Sequence, residues 1–124
     1  MKSPTGKRIG FVIAVILLVA ITQRVGQCAA PYSAIEAAKH VGENATVTDR
    51  VDGIHQSGKG NIFLNMGGKY PNQAFTAFIP AKGAGQFSDY QKYDGQSVAV
   101  SGKITLYRGK PEIVVMSPSQ IRAK

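Results

Sequence analysis

After Glu43 the chain reads with a period of two, cut into short pieces by glycine-rich turns. The cleanest piece is Ser97–Tyr107. Val98, Val100, Ile104 and Leu106 fall on one face with Gly102 among them, and Ser97, Ser101, Lys103, Thr105 and Tyr107 fall on the other. Alternation of this kind requires a sheet with one side buried. At 124 residues there is room for one small domain. The single cysteine, Cys28, excludes an intrachain disulfide framework and a cysteine-based zinc site, so an apolar core must hold the fold.

Four further strand segments follow from the same reading. Residues 45–55 carry Val47 and Val51 in phase and Ile54 out of phase, and the slip beside Gly53 predicts a β-bulge. Ser57–Gly60 is a turn. In 61–66, Ile62, Leu64 and Met66 point one way and Asn61, Phe63 and Asn65 the other. Gly67-Gly68 and Pro71-Asn72 mark a loop, 74–79 reads as a third strand, and Pro111–Met116 returns after the Arg108-Gly109-Lys110 turn. Two segments break the period. Ser33-Ala34-Ile35-Glu36 is a capping box that opens a short leading helix over 34–41, stopped by Gly42. Residues 84–93 place Phe87 and Tyr90 three apart, which predicts a short helix or helical turn before the fourth strand.

The amino end has a different purpose. Lys2, Lys7 and Arg8 precede an unbroken apolar run from Ile9 to Ile21, too short for a roughly 30 Å hydrocarbon core. This is the pattern of a signal peptide over residues 1–30, with an uncleaved membrane anchor as the alternative and lipidation of Cys28 ranked below simple export. The expected destination is the periplasm or cell envelope, with membrane contact only through this segment. The whole chain carries 15 Lys+Arg against 7 Asp+Glu, a net charge of +8. Without residues 1–30 the balance is 11 against 7, or +4, so much of the basic excess belongs to the targeting segment.

Three strands, a helix and two strands fit an all-β domain over 31–124: a five-stranded OB-fold barrel, its middle helix plugging one end. A helix-covered open sheet of the same elements is the runner-up. The stretches HVGENATVTDRV, GNIFLNMGGKYPNQAFTAFI, YDGQSVAVSGKI and LYRGKPEIVVMSPSQI resemble exported bacterial OB-fold domains of the nucleic-acid-binding superfamily, similar to modules appended to secreted nucleases. The resemblance covers roughly residues 40–121. It departs at Asp49, where that pattern usually has glycine.

On an OB barrel, strands two and three with their flanking loops form the usual ligand face. Asn61, Phe63 and Asn65 form the outward row of strand two, an aromatic between two amides that can stack a base and bond its edges. The alternative packs Phe63 under the Gly67–Pro71 loop or the leading helix. Lys59, Lys69, Lys103, Arg108 and Lys110 are the nearby cations, and Tyr70 and Tyr107 are further stacking candidates. Clustered, the cations make a groove for a phosphate backbone; scattered, they are ordinary charged loop tips.

No catalytic constellation, metal-ligand set or cofactor motif is present in the sequence. The acids are dispersed, Asp49 and Asp52 alone being close, and no GxxxxGK[ST] loop occurs. The expectation is a non-enzymatic, cofactor-free module for single-stranded DNA or RNA. The alternative is an envelope module of the same fold that binds a protein, sugar or small ligand.

Overall fold

The computed structural model describes residues 30–124; the targeting segment expected over 1–30 lies outside the described residues but for Ala30. Six strands follow in order: β1 (Asn44–Gln56), β2 (Ile62–Met66), β3 (Phe75–Ile79), β4 (Ser97–Tyr107), β5 (Lys110–Val114) and β6 (Ile121–Ala123). β1 pairs with β2, β2 with β3, β3 with β5, β5 with β4, and β4 back with β1, so five strands close into a ring. All pairings in that ring are antiparallel except β3–β5. This is the expected barrel, and the open-sheet alternative is excluded by the β1–β4 pairing.

Two strands do double duty. The first half of β1 (Asn44–Arg50) pairs with β4, and after a register shift between Val51 and Gly53 the second half pairs with β2. The bulge therefore sits where the sequence phase slips. β4 is divided likewise: Ser97–Lys103 pairs with β1 and Ile104–Tyr107 with β5. Just before that division stands Gly102, whose φ is +154° and where a Cβ would lie 2.7 Å from Ile113 Cγ2. Only a residue without a side chain fits that bend.

The inward rows fill the barrel. Val47, Val51, Ile62, Leu64, Met66, Phe75, Ala77, Ile79, Val98, Val100, Ile104 and Ile113 form one buried cluster. Phe87 and Tyr93 plug it from the 81–93 segment. That segment is two 3-10 turns, Ala81–Phe87 and Tyr90–Tyr93, where a short helix or helical turn is expected over 84–93. Its two glycines, Gly83 and Gly85, disfavour a continuous α-helix.

The leading helix is also shorter than expected, a 3-10 turn over Glu36–Lys39. Its capping box is present: Glu36 N–H donates to Ser33 Oγ, and Ser33 N–H donates to Glu36 Oε1. Those bonds favour the charged carboxylate and hold Glu36 below the usual carboxylate range. Ala34 N–H donates to Asp49 Oδ2 at 2.9 Å, and Ala34 and Ala37 are fully buried. Asp49, the departure from the glycine pattern, thus latches the leading segment to β1.

One element has no counterpart in the sequence expectation. Pro118–Gln120 forms a 3-10 turn and β6 then pairs with β4. One residue of the apolar row is not covered. Leu106 is 57% exposed, because the β4–β5 hairpin runs past the end of the barrel. Among the described residues no helix is long and apolar enough to cross a membrane.

Candidate functional site

Past the rim of the barrel, the loop over residues 67–73 and the β4–β5 hairpin meet. The Lys110 ammonium donates to the backbone carbonyls of Pro71 and Gln73, joining hairpin to loop. Asp52 holds the same loop from β1, its Oδ2 accepting from Gly68 N–H at 2.7 Å. At the hairpin tip Arg108 and Gly109 both have positive φ, +52° and +81°. This is the signature of a primed hairpin turn, whose twist matches the strands it joins. Arginine is strained there by about 1–3 kcal/mol, a cost that functional sites commonly carry. The Arg108 guanidinium lies 5.2 Å from the centroid of the Tyr107 ring.

Between these walls runs a groove of about 910 Å³ on the outer face of the sheet, spanning β1, β2, β3 and β5. Of the residues expected from the sequence, Phe63, Asn65, Lys69, Tyr70, Tyr107, Arg108 and Lys110 line it. Lys59, Asn61 and Lys103 do not. Lys59 is exposed in the turn before β2, and Lys103 is exposed opposite Asn44 on the β1–β4 side. Asn61 is occupied elsewhere, its Oδ1 accepting from Ala81 N–H at 2.8 Å.

The ring contacts of Phe63 run across the sheet. The residue is half-buried in a cross-strand row with His55 and Phe78, its register partners on β1 and β3. The ring centroids lie 5.8 Å from His55 and 5.2 Å from Phe78. His55 also lines the groove. Its role as a ring neighbour depends on the β1–β2 register, which no local sequence signal shows. Tyr70 and Tyr107 stand at the rim, 76% and 53% exposed.

Asn65 corrects the sequence reading of an open outward row. It does face outward from the barrel, but it is only 3% exposed because the 67–73 loop folds over it. Gln73 Nε2 donates to Thr76 Oγ1, and Thr76 Oγ1 donates to Asn65 Oδ1 at 3.1 Å. Glu112, the register partner of Thr76 on β5, extends this row along the groove floor. Burial pushes the Glu112 carboxyl above its ordinary range.

The electrostatics are more balanced than the cation count suggests. Lys69, Arg108 and Lys110 face Asp52, Asp94 and Glu112 across the groove, and the Lys110 ammonium is taken by carbonyls. Lys69 and Arg108 are the groove cations left for an external anion among the described residues. Among those residues, also, no three of His, Cys, Asp and Glu are grouped to hold a metal ion.

No family model and no curated protein matches the sequence. Among solved structures, a protein described as an aspartyl-tRNA synthetase from Leishmania major Friedlin is similar over 76% of this chain, with a TM-score of 0.53 and 13% identity. This chain spans 20% of the length of that one. At such identity the likeness is one of fold.

Proposed function

We propose that this chain is an exported, non-catalytic OB-fold module that binds single-stranded nucleic acid in the groove beside β2 and β3. The observation that carries the reading is the placement of Phe63 in the groove and Tyr70 and Tyr107 on its rim. Three rings around one open channel on this face suit successive bases, since every base has a stacking face. Lys69 and Arg108 beside the tyrosines supply backbone contacts. The structural neighbour bears the name of an enzyme that acts on tRNA, which agrees with the reading at the level of fold. The basic segment and apolar run before residue 22 support export.

Fluorescence anisotropy of the full-length protein with labelled single-stranded DNA and RNA oligonucleotides tests the reading. Phe63→Ala is expected to weaken binding by about 5- to 100-fold, the range for one stacked base. Unchanged affinity in that variant removes Phe63 from the site, and no binding even at low salt rejects the proposal.

The three groove carboxylates favour a second reading, an uncharged or cationic small ligand or a protein surface. An uncharged ligand binds without the salt dependence that phosphate contacts impose, and a cationic one is told apart by its loss on removing the groove carboxylates.

A further inference from the structure

The groove floor differs chemically from its rim. Glu112 is half-buried, and among the described residues neither a hydrogen bond nor a salt bridge holds its carboxylate. Close by, Gln73 is 9% exposed and its Oε1 has no hydrogen-bond partner, although its Nε2 is engaged with Thr76. A buried acceptor without a donor is costly, and most such groups have a partner. Both residues line the groove, and the Gln73–Thr76 bond and the Thr76–Glu112 register bring them to the same stretch of floor. Gln73 Oε1 is sealed beneath the surface, so the acceptor this stretch of floor turns to the groove is the unpartnered Glu112 carboxylate.

The four bases present different edges to such a floor. Guanine alone offers two adjacent donors, N1–H and the N2 amine, which a carboxylate can accept in a paired fashion. Adenine sets a ring acceptor beside its amine, as does cytosine, and thymine or uracil flanks one N–H with two carbonyl oxygens. Each of those sets a lone pair against the carboxylate.

We propose that Glu112 receives the Watson–Crick edge of a guanine base, making this groove guanine-selective; the inference rests on the nucleic-acid reading above. Phe63 on β2 and the rim tyrosines supply the stacking faces, and the floor supplies the choice of base. The upward displacement of the Glu112 carboxyl agrees with a group that awaits donors.

The test compares two nine-residue DNA oligonucleotides, thymine throughout except for a central guanine or a central adenine, so that purine stacking is matched. Full-length protein is expected to bind the guanine oligonucleotide about tenfold more tightly, the scale of one paired base contact. Hypoxanthine in place of guanine, which lacks the N2 amine, is expected to lose most of that gain without any change to the protein. Glu112→Gln is expected to bring the guanine-to-adenine ratio close to one. GMP competing better than AMP supports the pocket and shows that the free nucleotide suffices. Equal affinity for the guanine and adenine oligonucleotides overturns the pocket while leaving the nucleic-acid reading intact. Failure to bind either one overturns both.

Discussion

The count of groove cations free to meet phosphate sets a quantity that a titration can read. Five cations flank the ligand face in the sequence, but Lys59 and Lys103 lie outside the groove and the Lys110 ammonium holds two backbone carbonyls. Lys69 and Arg108 remain. For single strands each neutralised phosphate contributes about −0.7 to the slope of log affinity against log salt, so two contacts give about −1.4. Between 50 and 200 mM salt that is a loss of about sevenfold. Five contacts would give a slope near −3.5 and a loss of more than about a hundredfold. Anisotropy with a thymine oligonucleotide at four salt concentrations separates the two cases. Lys69→Ala and Arg108→Ala are each expected to lower the slope by about 0.7, and Lys59→Ala and Lys103→Ala to leave it unchanged. A slope near −3.5, or a drop in slope on removing Lys59 or Lys103, would falsify the two-cation geometry.

Three further outcomes are expected. Gln120 ties the last turn to the barrel with four bonds: its Oε1 accepts from Met116 and Ser117 N–H, and its Nε2 donates to the carbonyls of Ser101 and Val114. Two of these are part-buried, so Gln120→Ala is expected to cost about 2–3 kcal/mol and about 10–20 °C in melting temperature, while Ser119→Ala costs far less. Gly102→Ala puts a methyl against Ile113 at a positive φ and is expected to destabilise by about 1–3 kcal/mol in urea titrations. The third concerns pH. Glu112 has its folded pKa raised by burial, so stability is fully present below the unfolded value near 4.5 and falls as pH rises through the folded one. Glu112→Gln should therefore melt higher than the parent at pH 7 and match it near pH 4; a gain that persists at pH 4 points to packing instead.

Most of the barrel was legible because its strands alternate and its turns carry glycine. The bulge at Gly53 and the Ser33–Glu36 capping box are local, and local chemistry can be read without knowing what lies across the sheet. What stayed hidden depends on partners distant in sequence. Ile121–Ala123 is too short to show a period and becomes a strand only beside β4. Asn65 stands on the outward face as its phase requires, yet whether that face is wet depends on where the 67–73 loop falls. Leu106 keeps the phase of Ile104, but it lies beyond the barrel that would bury it. At the site, the types of the aromatic and basic residues were readable. The Lys110 strut, the His55–Phe63–Phe78 row and the acceptors at Gln73 and Glu112 were not, since each is a product of register or loop closure.

The β1–β4 seam also sets the order of events in folding. Thr46 and Ser101, 55 residues apart, meet there through their hydroxyls, and Val47 faces Val100 beside them. Loop-closure entropy must be met before such distant pairs yield any gain, which places barrels of this topology among millisecond-to-second folders. On a ribosome the consequence is sharper. A chain synthesised as far as Ile79 has made the residues of three strands but has no β4 to shut against, so Ile62, Leu64, Phe75 and Ile79 have no closed interior to enter. Such a nascent chain leaves its apolar rows and strand edges uncovered until residues 97–113 emerge, and that interval is when it is most prone to aggregate.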